Sequence, residues 1–236
     1  MSTNNIKPTN VLAIDTSTKA CVLAIQTAAG TLVDSEIVDR THSREILPRI
    51  DVLLGKAELS PVDIDLIVYG QGPGSFTGLR IGVGVVQGFA FGIGKPVVGV
   101  SSMACLAQTS YRVKGSEHAL VALVARKEEV YFGSYSIVDG YAELNGIEVV
   151  LEASEIPVQT NDKCWVGLGS GWQFQPLLQE ATGVIVTDID LAGLPEANEL
   201  LALGIHRHQR GLSTSAMLAR PEYVRETVAN LPKPRQ

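Results

Sequence analysis

Short continuous apolar runs, one amphipathic stripe and one glycine-spaced helix organise the first hundred residues. Val11-Leu12-Ala13-Ile14 is unbroken apolar, as suits a strand buried on both faces. Cys21–Gln26 and Thr31–Val38 read as the next two strands, after the turns Asp15–Lys19 and Ala28-Ala29-Gly30. Over 43–58 the residues Ile46, Ile50, Leu53, Leu54 and Ala57 share one stripe, with Leu47 at its edge. Arg44, Arg49, Asp51, Lys56 and Glu58 fall elsewhere, so the segment predicts an amphipathic helix. Pro48 is expected near its first turn, because Pro has no N–H to give a helix interior.

The densest pattern is at 67–100. Ile67-Val68-Tyr69 predicts a buried strand, Gly70–Ser75 a tight loop, 76–93 a helix and Val97–Val100 the next strand. Ser75 or Thr77 is placed to cap the helix, and Gly94-Lys95-Pro96 to end it. Gly84, Gly88 and Gly92 recur every fourth residue, on one face, although each interior Gly costs about 1 kcal/mol against Ala. Such a face suits either close packing on the chain's own sheet or the approach of a partner helix. The run is short and holds Arg80 and Gln87, which argues against a membrane span, and no other segment is expected to cross a bilayer.

The second half predicts a helix over 103–114 behind Ser101-Ser102, then three consecutive strands, Leu120–Ala125, Glu129–Val138 and Tyr141–Val150. Cys164–Leu168 reads as a strand, Trp172–Ala181 as a helix, Val184–Val186 as a strand and Glu196–Gln209 as a helix. The repeated three-strand opening predicts an α/β protein of two related lobes, residues 1–100 and 101–236, with the C-terminal tail packing back on the first lobe.

Composition and charge narrow the function. With 45% hydrophobic and 19% charged residues among 236, the chain is globular. A net charge of −6 makes a poor stand-alone nucleic-acid binder. After residue 200 the sign reverses: Arg207, Arg210, Arg220, Arg225, Lys233 and Arg235 face only Glu222 and Glu226, which suits a solvated surface or a minor RNA contact. Cys21, Cys105 and Cys164 are far apart and form no C-x-x-C, as expected of mostly buried thiols in a reducing, cytoplasmic setting. Met1–Asn10 is polar and carries no apolar signal-peptide core.

Candidate chemistry gathers at two turns. Asp15-Thr16-Ser17-Thr18 closes the first strand, and Gly72 and Gly74 lie ahead of the glycine helix. A carboxylate at a strand end with hydroxyls behind it can hold a metal–nucleotide, and backbone N–H groups at a helix start attract phosphate. Asp15, Thr16, Ser17, Gly72 and Gly74 are therefore the nucleotide or phosphate candidates, against a plain structural-turn reading of the same residues. The Walker spacing and its Lys are absent, as are a G-x-S-x-G elbow, an H-E-x-x-H pair and a zinc motif. His42 has Ile46 at i+4, which removes a helical His pair. The second lobe's first strand, Val121–Arg126, ends without a carboxylate.

Several stretches together closely resemble the bacterial TsaB (YeaZ) family. They are Ile14-Asp15-Thr16-Ser17-Thr18, His42-Ser43-x-x-Ile46-Leu47-Pro48, Tyr69 through Gly82 with its G-P-G-S-F-T-G-L-R core, and Gly99-Val100-Ser101-Ser102. The likeness is strong over about 11–135 and looser to Pro221-Glu222-Tyr223-Val224-Arg225. It implies the actin-like ATPase fold (ASKHA, ribonuclease H-like) with two related lobes. It implies a non-catalytic subunit of the machinery that places threonylcarbamoyl on N6 of adenosine 37, in tRNAs reading A-starting codons. The implied partners are a TsaD-like catalytic paralogue, a TsaE-like ATPase and, through the complex, tRNA. The resemblance also implies that the same surface can support a homodimer when the partner is missing, and that the partner interface is the place where ATP or ADP could bind. The paralogue's two His, four apart, correspond to His42 and Ile46, so no metal is expected here. The pairing surface implied is the first two helices: Arg44, Ile46, Leu47, Ile50, Leu53 and Leu54 with Phe76, Arg80, Val83, Gly84, Gln87, Gly88 and Phe91. One departure stands out: Val124 replaces the Asp of the family's D-A-R-x-x-E-V-Y. An independent ATPase or kinase of the same fold stays open as the alternative, resting on Asp15 and the glycine turns. A glycoprotease-like hydrolase finds no nucleophile–base pair.

Overall fold

A computed structural model of the chain describes residues 8–37, 42–160 and 163–224, apart from the His42 side chain. Most of Met1–Asn10, Val38, Arg225, Lys233 and Arg235, which entered the expectations above, lie outside them. The chain divides into two compact units. One runs to Ser102 and regains Pro195–Pro221; the other holds Met103–Leu194 and resumes at Glu222.

The first unit is built on strands β1 (Val11–Asp15), β2 (Ala20–Thr27), β3 (Gly30–Ile37), β4 (Leu66–Gly72) and β5 (Val97–Ser101), with helices α1 (His42–Lys56) and α2 (Phe76–Ile93). The sheet order is β3-β2-β1-β4-β5. β1 to β3 form an antiparallel meander, while β4 and β5 run parallel to β1. Ile67 and Tyr69 join Leu12, Ile14 and Leu23 in a core with Ile46, Ile50, Leu53 and Leu54 of α1 and Val83, Val86 and Ala90 of α2. The stripe read from the sequence is thus the inward face. Pro48 lies inside α1, and not in its first turn as expected. Its missing N–H leaves the Arg44 carbonyl without the usual helical donor.

The second unit comprises most of α3 (Ser102–Lys114), β6 (His118–Arg126), β7 (Glu129–Val138), β8 (Tyr141–Leu144), β9 (Val149–Glu152), β10 (Val166–Leu168), α4 (Gln175–Thr182) and β11 (Ile189–Asp190). Its order is β11-β10-β6-β7-β8, with β9 also on β7. β6, β7 and β8 are antiparallel, and β10 and β11 run parallel to β6. That is the topology of the first sheet again, and it makes the two lobes related. The single strand expected over Tyr141–Val150 is two. β8 pairs with Tyr135–Val138 and β9 with Glu129–Phe132, separated by Gly146 at φ +88°. Val184–Val186 is no strand. Its ends are buried, and side chains of α4 take their amides: the Val184 N–H donates to Thr182 and the Val186 N–H to Gln179. The helix expected from Trp172 starts later, at Gln175, behind a 3-10 turn over Ser170–Phe174. Pro176 occupies its first turn, where no donor is needed.

Helix α5 (Ala197–Gln209) returns to the first unit and packs on β4, β5, β2 and β1. Gly204 meets Val68, so α5 covers the sheet face opposite α1 and α2. The following stretch bridges back to β5 through a Val97–Thr214 pair and makes a 3-10 turn over Ala216–Leu218.

Arg49 of α1 grips Asp34 of β3 with two hydrogen bonds of 2.8 Å, which hold the Asp34 carboxyl below its usual range. A depressed carboxyl stabilises the fold above its unfolded pKa, and that contribution is lost as pH falls through the folded value. Asp34→Asn is therefore expected to unfold at lower urea than the parent at pH 7. The gap should close below about pH 4. A gap that stays constant with pH would contradict the assignment.

Candidate functional site

The two candidate turns meet, and they meet by packing against each other. β1 delivers Asp15, Thr16 and Ser17, all buried, to the N-terminus of α2. Between them the chain runs from β4 through Gly72, at φ +107°, and Pro73 to the helix. Ser75 is the N-cap, its hydroxyl accepting the Gly78 N–H at 3.2 Å, which settles the choice between Ser75 and Thr77. Gly94 in the left-handed region ends the helix as the sequence predicts.

Several polar groups of this turn are bonded to one another. The Ser17 N–H donates to Asp15 Oδ1 at 2.6 Å. The Ser17 carbonyl accepts from the Ser75 N–H at 2.6 Å. Thr16 Oγ1 donates to the Gly78 carbonyl at 2.8 Å, and Ser102 Oγ donates to Ser17 Oγ at 3.0 Å. Glycine makes the approach feasible. A Cβ at Gly74 would lie 2.2 Å from the Ser17 carbonyl oxygen, one at Gly78 2.0 Å from that of Thr16, and one at Gly82 2.4 Å from Thr16 Oγ1. At Gly70 a Cβ would run into the Asp15 carboxylate. Asp15, Thr16, Ser17, Gly72 and Gly74 are thus brought together, but as a filled lock between β1 and α2. The hydrogen bonds and close glycine contacts account for these residues as a structural turn.

The other glycine series behaves differently. Cβ atoms built on Gly84, Gly88 and Gly92 meet nothing within 4 Å. Close packing of this face on the chain's own sheet is not what the fold does; Gly74, Gly78 and Gly82 do that. Around the open glycines α2 exposes Phe76 (57%) and Phe91 (69%), and α1 exposes Leu47 (54%). Arg80 lies over the Phe76 ring at 3.7 Å from its centroid.

The residues implied as a pairing surface therefore separate into two sets. Ile46, Ile50, Leu53, Leu54 and Val83 are core of their own unit. Arg44, Leu47, Phe76, Arg80, Gly84, Gly88 and Phe91 are exposed, and Gln87 is half-buried. Gln87 donates its amide to the Ala219 carbonyl at 2.7 Å, so it also holds the C-terminal segment. A rigidly docked body would meet the second set alone.

By length and composition alone α2 is long and apolar enough to cross a membrane, a test that the core helix of a globular protein also passes, so it does not overturn the expectation drawn from Arg80 and Gln87. In the fold it packs on β4 and β1 through the buried Gly78, Leu79, Gly82, Val83, Val86 and Ala90.

Cys21 and Cys105 are buried, and burial pushes the Cys21 thiol up to about 11. Cys164 is exposed. One maleimide per native chain is expected, at Cys164, with the other two thiols reacting only in denaturant. Native labelling of Cys21 would contradict this burial.

Known proteins resemble the chain along nearly its whole length. A profile of the family described as "TsaD: tRNA N6-adenosine threonylcarbamoyltransferase" matches residues 26–232. The tRNA threonylcarbamoyladenosine biosynthesis protein TsaB of Escherichia coli is 35% identical over 227 residues, covering 93% of this chain and 96% of that one. The protein of the same name from Haemophilus influenzae is 33% identical, over 92% and 94% of the two chains. The solved structure of YeaZ from Pseudomonas aeruginosa superposes with a TM-score of 0.84 at 37% identity, over 91% of this chain and 99% of that one. With its two sheets of shared topology, the chain belongs to the TsaB (YeaZ) family and has its actin-like, two-lobed α/β fold.

Proposed function

We propose that this chain is a non-catalytic, obligatory partner subunit in tRNA threonylcarbamoyladenosine synthesis. It pairs with a TsaD-like catalytic paralogue, is joined by a TsaE-like ATPase, and serves transfer of threonylcarbamoyl to N6 of adenosine 37 in tRNAs reading A-starting codons. It acts in the cytoplasm, and tRNA meets it through the complex.

The observation that carries this reading is the open glycine face of α2. Three interior glycines at i, i+4 spacing weaken a helix by about 1 kcal/mol each. No contact among the described residues repays that cost, while a second helix packed backbone to backbone would. The packed Asp15–Ser17 turn supports the non-catalytic part, since its Thr16 hydroxyl and its Ser17 N–H and carbonyl are bonded within the fold.

The test is complex formation with the TsaD-type subunit of the same organism. A stable heterodimer on size exclusion is expected. Its absence, with both proteins folded, would sink the reading. Asp15 keeps the alternative of an independent ATPase in play. Turnover of ATP by the isolated chain, lost in Asp15→Ala, would favour that alternative.

A further inference from the structure

Where β6 begins, a row of polar residues crosses the second unit's sheet. His118 of β6 lies opposite Ser136 of β7, and Glu143 of β8 lies opposite Ser136 on its other side. Residues paired across antiparallel strands share a face of the sheet. Three side chains converge on the Ser136 hydroxyl: His118 Nδ1 at 3.1 Å, Asn145 Nδ2 at 3.0 Å and Lys163 Nζ at 3.4 Å. Trp165 backs two of them, with its ring 5.4 Å from that of His118 and 5.5 Å from the Lys163 ammonium. Trp165 is itself buried and donates its ring N–H to the Thr160 carbonyl at 2.9 Å. A serine hydroxyl has one proton and two acceptor positions. The Asn145 amide and the Lys163 ammonium both donate, so they take the acceptor positions. The proton is left for His118 Nδ1, which makes the imidazole the acceptor. A hydroxyl that donates to an imidazole is the arrangement of a nucleophile with its base. The two residues are 18 apart in sequence, a spacing that carries no motif.

We propose that Ser136 is a nucleophilic serine, with His118 as its general base, and that it takes the acyl group of small activated carboxylic esters. The site lies outside threonylcarbamoyl transfer and does not depend on the partner-subunit reading. Ser136 keeps 9% of its surface in solvent, beside the exposed Asn145 and the half-buried Lys163, which is the side a small ester reaches. Ser136 Oγ attacks the ester carbonyl carbon while its proton passes to His118 Nδ1. Lys163, the longest of the three contacts, turns from the hydroxyl to the carbonyl oxygen, where negative charge develops. The bond from the carbonyl carbon to the alcohol oxygen then breaks, and the alcohol leaves with the proton held by His118. Water cleaves the acyl-serine by the same two steps. His118 takes the water's proton and returns it to Ser136 Oγ, and the carboxylic acid is released. Lys163 and Glu143 balance in charge across the row, which suits a neutral acyl group.

The experiment treats the full chain with phenylmethanesulfonyl fluoride, which sulfonylates a serine oxygen with loss of fluoride, and maps the label by peptide mass spectrometry. One label is expected on the folded chain, at Ser136, and hydrolysis of para-nitrophenyl acetate should fall in step with it. His118→Gln, checked for an unchanged unfolding midpoint, should be labelled at Ser136 about 100-fold more slowly. Lys163→Met should lower kcat for the ester more than it raises KM, since its charge acts on the developing oxyanion. A folded, unsubstituted chain that takes no label at Ser136 would overturn the proposal and leave the cluster as an anchor for the segments that carry Asn145 and Lys163. Labelling at an undiminished rate in a folded His118→Gln would overturn the nucleophile–base pair. Ester hydrolysis that survives complete sulfonylation of Ser136 would overturn the assigned activity.

Discussion

Gly78→Ala should cost the isolated chain about 3 kcal/mol, because the added methyl would lie 2.0 Å from the Thr16 carbonyl oxygen. A backbone atom cannot swing aside as a flexible side-chain end can. Helix α2 must lift from the β1 turn, breaking the Thr16–Gly78 and Ser75–Ser17 hydrogen bonds together. For a chain of this size the loss corresponds to a fall in Tm of roughly 6–12 °C. The matched control is Gly84→Ala, two turns along the same helix, where a Cβ meets nothing within 4 Å. There the substitution removes a helix-breaking glycine, and the chain should gain about 0.5–1 kcal/mol. Opposite signs at two glycines of one helix, read from urea or thermal unfolding, would establish that one series is internal and the other is not. A Gly78→Ala chain as stable as its parent would refute the lock between α2 and β1.

Gly88→Leu should fold at least as well as the parent and fail as a partner. In the isolated chain its side chain enters open space. In the heterodimer it would occupy the place of a helix backbone, an overpacking cost of about 1–3 kcal/mol. That is roughly a 5- to 150-fold rise in Kd for the TsaD-type subunit. Gly84→Leu should behave alike if both glycines face the same helix. Full affinity of a folded Gly88→Leu would remove the glycine face from the partner surface.

Local signals in the sequence carried much of the fold. The Ser75 cap, the Gly94 terminus and the stripe of α1 each depend on residues within a turn or two. The three-strand opening, seen twice, gave the two related lobes, and the sheet orders match strand for strand. The division of labour among the glycines was not legible. Gly74, Gly78 and Gly82 share the spacing of Gly84, Gly88 and Gly92, and only the position of the Thr16 turn, 62 residues from Gly78, decides which series is covered. The same long-range contact turned the phosphate candidates into a lock, since D-T-S-T reads alike whether its hydroxyls face a ligand or a helix start. In α1 the stripe identified a buried face, while the implied partner surface needed its neighbours; Ile46 and Leu47 differ by one position and face the core and solvent. Gly146, in the left-handed region, lies in the break between β8 and β9.

An omission assay puts the partner-subunit account at risk in a single experiment. TsaD-type, TsaE-type and threonylcarbamoyl-adenylate-forming proteins are mixed with tRNA, ATP, threonine and bicarbonate, with and without this chain, and N6-threonylcarbamoyladenosine is quantified. The account predicts modified nucleoside only when the chain is present, with Gly88→Leu well below the unsubstituted protein. Equal product without the chain would contradict it, leave the family and fold in place, and make ATP turnover by the chain alone the next question.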